Sequence, residues 1–172
     1  MPNITVNGVK LHYLDKGEGP AMVLVHGFQS SGFAFAPVVD RLSERFRVLV
    51  LDLRGHGDSE KPLGLYTIQT FKEDVLAFID ALGLDQVDYM GQSMGGRTGT
   101  MFAIDHGDRL RRLLLVSSSA SAPSGAYRAH FEGLLKIAKS DGLASIFDSD
   151  NYQSRVPKQL REGALAIEFR ER

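Results

Sequence analysis

No cysteine occurs among the 172 residues, which excludes disulfides, thiolate metal sites and thiol catalysis together. That absence fits a cytoplasmic protein. Neither sign of charge dominates: the formal net charge is −1, so nothing draws the chain as a whole to nucleic acid or to an anionic membrane. Long hydrophobic runs are missing too, and a stretch such as Ala21–Val25 falls far short of the length that spans a bilayer. The start, Met1-Pro2-Asn3-Ile4-Thr5, has no basic region leading into an apolar stretch, and no signal peptide is expected. The five histidines lack the H-x-x-x-H spacing of a metal site, so neither metal nor other cofactor is expected. No internal repeat appears. What remains is an ordinary globular composition, 43% hydrophobic and 24% charged, on a chain long enough for one substantial core.

The patterning along that chain alternates. Ile4–Val6 and Lys10–Leu14 flank Asn7-Gly8, the signature of a tight type I′ hairpin. Ala21–Val25 is a continuous apolar run, as expected of a strand covered on both faces. A helix is expected next, with Phe35, Val38, Val39, Leu42 and Phe46 on one face and Pro37 in its first turn. Val48–Leu53 reads as a strand and Thr67–Leu84 as a helix carrying Ile68, Phe71, Val75, Ile79 and Leu82. Thr70 and Glu73 would form a capping box if that helix starts late, and Gly83 is placed to end it. Val87–Met90, Met94–His106 and Leu113–Val116 continue the series as strand, helix and strand. Alternation at this spacing implies an α/β fold, a mostly parallel sheet with helices on both faces.

Ser117–Gly125 breaks the composition and reads as a linker. Beyond it the strand signal stops. Phe131, Leu134, Leu135 and Ala138 make one amphipathic helix, and Leu160, Ala164 and Ile167 another. Two domains are therefore expected, a core over 1–122 and a helical, cap-like segment over 123–172.

The chemistry concentrates in one pentapeptide. Gly91-Gln92-Ser93-Met94-Gly95 matches G-x-S-x-G directly after an expected strand and directly before an expected helix. In that context the glycines Gly91 and Gly95 leave room for a strained turn that lifts Ser93 Oγ above the sheet edge. The backbone N–H of Met94, at the helix N-terminus, then faces an oxygen of a substrate held at Ser93. His26-Gly27-Phe28 and Arg54-Gly55-His56-Gly57-Asp58-Ser59 follow the two preceding parallel strands. In a parallel sheet such loops share one edge with the elbow. Phe28 N–H is the expected second oxyanion donor. His26 reads as a buried histidine bracing the oxyanion loop, and His56 and Asp58 as braces of theirs.

Together the H-G-F loop, the D-L-R-G-H-G-D-S run at Asp52–Ser59 and the G-Q-S-M-G-G elbow at Gly91–Gly96 resemble the α/β hydrolases. The likeness is to their cofactor-free esterase, enol-lactonase and C–C-bond hydrolase branch, over roughly Asn7 to Ser121. It implies Ser93 as nucleophile, Phe28 and Met94 as oxyanion donors, and a lid beginning near Pro123. Epoxide hydrolases and haloalkane dehalogenases of this fold carry Asp at the elbow, so Ser93 speaks against both. Gln92 stands where many relatives have histidine.

The family's triad places its acid and histidine on later strands, which this chain, ending at Arg172, is expected to lack. Of the histidines after Ser93, His106 lies 13 residues along one helix, roughly 20 Å away, and His130 is the weak candidate base. Three functions stand open. One is a serine hydrolase of small esters or lactones working through an acyl-enzyme, weak for want of a base. The others are a C–C-bond hydrolase of diketone-like substrates and a non-catalytic binding scaffold. A homo-oligomer is expected through the C-terminal segment, where Leu160, Ala164, Leu165, Ile167 and Phe169 supply apolar surface.

Overall fold

A computed structural model of the chain describes residues 2–119, 125–142 and 145. Two compact units, Met1–Ala120 and Ser121–Arg172, make up the chain, and each is described by itself. The first is built on a six-stranded sheet. Its strands are β1 (Asn3–Val6), β2 (Val9–Lys16), β3 (Ala21–Val25), β4 (Arg47–Leu51), β5 (Val87–Gln92) and β6 (Leu110–Val116), in the spatial order β1-β2-β4-β3-β5-β6. β3, β4, β5 and β6 run parallel, while the hairpin of β1 and β2 joins antiparallel through β2 and β4. Asn7 and Gly8 both take positive φ at the hairpin turn, as a type I′ turn demands.

Three helices cover this sheet: α1 (Ala36–Ser43), α2 (Ile68–Ala81) and α3 (Met94–His106). The pleat of β3 divides them. Val23 and Val25 join Phe71, Val75, Phe78, Ile79 and Phe102 of α2 and α3 in one core, whereas Met22 and Leu24 meet Phe35 and Val39 on the other face. A two-sided sheet explains why β3 and β4 read as unbroken apolar runs. After β3 the chain steps to β4 on one side, then returns across to β5 on the other. That reversal falls between β3 and β5, and the C-terminal edge at such a point is the place where parallel sheets bind ligands.

Local details differ from the sequence pattern in two places. A 3₁₀ turn, Gly32–Phe35, precedes α1, and its tighter winding shifts the register of the residues that follow. Val38, expected on the buried face, is consequently 42% exposed, and Phe46 lies past the end of α1 while still packing on the core. The cap of α2 is Thr67, whose Oγ1 accepts from the Thr70 N–H, rather than a box of Thr70 and Glu73. Glu73 instead accepts from Gln69. Gly83 follows α2 at φ 66°.

In the second unit, α4 (Gly125–Asp141) contains Phe131, Leu134, Leu135 and Ala138. The lid start at Pro123 and the helix expected around Leu160, Ala164 and Ile167 lie outside the described residues. So does the apolar surface expected to bind a second copy. Among the described residues, no helix is long and apolar enough to cross a membrane.

Candidate active site

Ser93 sits between β5 and α3 with φ 50° and ψ −107°. A left-handed backbone is costly for any residue with a Cβ, of order 1–3 kcal/mol, and persists only where the surroundings dictate it. Here close backbone packing makes room for it. A Cβ on Gly91 would lie 2.4 Å from the Gly95 carbonyl oxygen, and one on Gly95 would lie 2.1 Å from that of Val25. The first turn of α3 is thus pressed against the ends of β5 and β3 with no room for a side chain. Beneath it the Tyr89 hydroxyl, fully buried, donates to the Gly95 carbonyl at 2.8 Å. Burial pushes the Tyr89 phenol well up, which keeps it a proton donor throughout the working range.

Ser93 Oγ makes no hydrogen bond within the described residues of its unit, and Ser93 is partly exposed. Gly27 runs beside it: a Cβ there would meet Ser93 Cβ at 3.3 Å and Oγ at 3.9 Å. Phe28, next along this loop, is 46% exposed. Met94 opens α3. Gly91, Ser93, Met94 and Gly95 therefore lie at the turn from β5 to α3, with the Gly27-Phe28 loop beside them.

His26 is fully buried behind them. Its Nδ1 lies 2.7 Å from the Gly27 carbonyl, and its Nε2 accepts from the Leu53 N–H at 3.1 Å. A nitrogen facing an N–H must be the acceptor, so Nδ1 carries the proton and the ring is neutral. Burial, opposed by the bond to Gly27, pushes its pKa down to about 4. Both nitrogens are spent on joining the loop after β3 to the end of β4, which leaves neither for proton transfer. His56 packs on it at 5.1 Å between ring centres and on Phe28 at 6.4 Å. Its Nδ1 is 3.0 Å from the Arg54 carbonyl, and burial lowers its pKa as well.

Asp58, expected to brace this loop, has a side chain that is 73% exposed and among the described residues reaches only His12 Nε2, at 4.0 Å. The bracing carboxylate belongs to Asp52. Its Oδ1 accepts from Gly32 N–H at 2.6 Å, and its Oδ2 accepts from Asp58 N–H at 2.9 Å and His12 Nδ1 at 3.1 Å. Because a carboxylate oxygen is preferred where N–H donors converge, an acid was required there. Asp52 heads the D-L-R-G-H-G-D-S run, and residue type alone does not separate it from Asp58. Arg54 and the fully buried Asp74 carboxylate form a two-pronged pair at 2.5 and 2.6 Å, joined by Asn7 Nδ2 at 3.0 Å. This ties the loop after β4 to α2 and to the hairpin.

His106 ends α3, its ring 5.4 Å from that of Phe102. His130 lies on α4 in the second unit, against Phe131. Among the described residues one group, His12, Asp52 and Asp58, has the composition of a metal site, but Asp52 and the His12 Nδ1 are already committed to each other and to backbone N–H groups.

A parallel sheet with a strained serine at the turn from β5 to α3 defines the class. Residues 20–144 match the model of the alpha/beta hydrolase fold family, and the chain belongs to that family. It is 38% identical over 111 residues to a soluble epoxide hydrolase of Corynebacterium sp. (strain C12), which covers 64% of this chain and 39% of that enzyme. Among solved structures, the enol-lactonase from Burkholderia xenovorans LB400 superposes with a TM-score of 0.84 at 33% identity, over 99% of this chain and 66% of that one. A thermophilic esterase from Thermogutta terrifontis does so with a TM-score of 0.84 at 26% identity, over the same shares. The chain thus spans about two fifths of the length of the first relative and two thirds of that of the solved structures.

Proposed function

We propose that the site is that of a serine hydrolase acting on small carboxylic esters or lactones, with Ser93 as nucleophile. The observation that carries this reading is a serine held at φ 50° between strand and helix, its hydroxyl making no hydrogen bond among the described residues of its unit. Strain without a packing or hydrogen-bonding return is the mark of a group kept for chemistry. In the proposed reaction Ser93 Oγ adds to the ester carbonyl carbon, the alkoxide leaves as an alcohol on taking up a proton, and water releases the acid from the acyl-enzyme. The N–H groups of Phe28 and Met94 would stabilise the charge that develops on the carbonyl oxygen.

The named enol-lactonase and esterase support the ester and lactone classes by likeness of fold. The epoxide hydrolase, the relative more similar in sequence, supports a different substrate. Ser93 supports the ester and lactone reading, because opening an epoxide in that branch of the family employs an elbow carboxylate. His26 has both ring nitrogens engaged, and His56 is held through Nδ1 to the Arg54 carbonyl; His130 is kept as the weak candidate base. With no base at all, the oxyanion donors and binding alone would still leave an acceleration of about a thousandfold over water.

Hydrolysis of p-nitrophenyl acetate by the purified chain tests the reading. Activity above buffer that disappears in Ser93→Ala, with His106→Ala unaffected, is the expected result. Equal rates for wild type and Ser93→Ala would leave a binding scaffold as the better description.

A further inference from the structure

The glycines of the elbow make room for the strained serine but exert no pull on it. The pull comes from the loop that leaves β6. Ser93 N–H donates to the Val116 carbonyl at 2.9 Å, one residue beyond the last register pair of β5 and β6, Gln92 with Val116. The Ser93 carbonyl accepts twice, from the Arg97 N–H and from Ser118 Oγ, each at 3.1 Å. Ser118 reaches it because Ser117 turns through φ 47° and because residue 96 is glycine. A Cβ at Gly96 would lie 2.5 Å from both the Cβ and the Oγ of Ser118.

The Ser93 carbonyl and the Met94 N–H belong to one peptide unit. That unit is planar and trans, so whatever fixes the carbonyl also fixes the direction of the N–H on its opposite side. A hydrogen bond to the oxygen further polarises the amide and makes the N–H a stronger donor. We propose that Ser118 is a positioning residue: its hydroxyl, bonded to the Ser93 carbonyl, aims the Met94 N–H at the substrate oxygen and holds Ser93 in its strained turn. The inference rests on the reading of Ser93 as nucleophile. Without the hydroxyl the carbonyl keeps its helical bond from Arg97, so the elbow stays folded but is held by one restraint in place of two.

Two measurements on the full chain, as wild type, Ser118→Ala and Ser118→Thr, test this. Phosphorylation of Ser93 by diethyl p-nitrophenyl phosphate forms an O–P bond, expels p-nitrophenolate, passes the serine proton to the buffer and places a P=O oxygen where the oxyanion would lie. The saturating rate is expected to fall about fivefold in Ser118→Ala, the loss of one modest hydrogen bond. The half-saturating concentration should be unchanged, and Thr should restore the rate. The Met94 amide nitrogen resonance, which responds to hydrogen bonding at the Ser93 carbonyl, should move in the Ala variant and return in the Thr variant. Equal rates in wild type and Ser118→Ala, or a Met94 resonance that stays in place, would overturn the proposal. A wild type that is never modified at Ser93 overturns the nucleophile reading instead, and the Met94 resonance then decides alone whether Ser118 holds the peptide.

Discussion

The loop after β4 and the elbow after β5 meet at one edge of the sheet and are held there by opposite means. Residues 52–59 are fixed by polar groups: the Asp52 carboxylate receives three donors, Ser59 Oγ donates to the Asp52 carbonyl at 2.6 Å, and Arg54 pairs with buried Asp74. Residues 91–96 can pack as they do only because of the side chains they lack. Polar satisfaction is conditional on protonation state, and its cost on failure is the desolvation of a stranded group. Steric exclusion is indifferent to pH but unforgiving of a single methyl group. The framework of the site therefore divides into a part that acid can loosen and a part that only substitution can break.

Gly95→Ala should have the largest effect. Its new Cβ would stand 2.1 Å from the Val25 carbonyl oxygen and 2.7 Å from that of His26, both in backbone that cannot swing aside. A loss of more than about 3 kcal/mol, above the usual range for overpacking, is expected. Urea unfolding at pH 7.5 measures it. A variant within about 1 kcal/mol of wild type would show that the elbow is not sterically determined.

Acid should attack the other half. His26 keeps its neutral form down to about pH 4 in the folded chain, whereas in the unfolded chain it takes up a proton near pH 6.5. Between those values the unfolded state binds more protons, so stability is full above about 6.5 and declines as the pH falls toward 4. The shift corresponds to roughly 3 kcal/mol, and His56, also lowered by burial, acts in the same direction. Unfolding free energies measured from pH 7.5 down to 4.5 should fall accordingly, and His26→Gln should flatten that slope while starting from a lower value. An unchanged slope in the variant would mean that His26 is not the group that senses acid.

Asp52→Asn sharpens the comparison further. Asparagine retains one oxygen but sets an N–H₂ group either against the Gly32 N–H or against the donors of both Asp58 and His12. Stranding a buried donor costs about 2 kcal/mol. The expected signature is local: faster hydrogen exchange over residues 54–60 with the elbow peptide 91–97 unaltered. Equal loosening of both peptides would show that the two loops do not stand independently.

The sheet was legible in the sequence because its physics is local. Runs such as Ala21–Val25 and Val48–Leu53 read as strands covered on both sides, the second ending at Leu51 in the structure, and Ser93 declares itself by its glycines and its place between strand and helix. What the pattern missed depends on contacts distant in the chain or on the exact winding of a turn. Val38 fits a helical face until a 3₁₀ turn rotates it outward. Asp52 is indistinguishable from Asp58 as a residue type, and only the convergence of Gly32, Asp58 and His12 on its oxygens separates them. Ser118 lies in a serine-rich stretch that reads as a linker, and its partner is 25 residues away.

The smallest effect expected is a gain. If Ser93 is strained for the sake of chemistry, relieving that strain should stabilise the fold at the expense of the nucleophile. Ser93→Gly removes the Cβ that makes φ 50° costly, and Oγ has no hydrogen bond among the described residues of its unit whose loss would offset the gain. Glycine's greater freedom in the unfolded chain takes back about 0.5–1 kcal/mol, leaving a net stabilisation of about 1 kcal/mol, or a melting temperature higher by about 3 °C. Ser93→Ala is the control, because it deletes the same hydroxyl while retaining the Cβ and so should melt with the wild type. Scanning calorimetry on the three proteins separates backbone strain from hydroxyl removal. A Ser93→Gly protein that melts at or below Ser93→Ala would mean that the surroundings, and not the serine, bear the cost of the elbow.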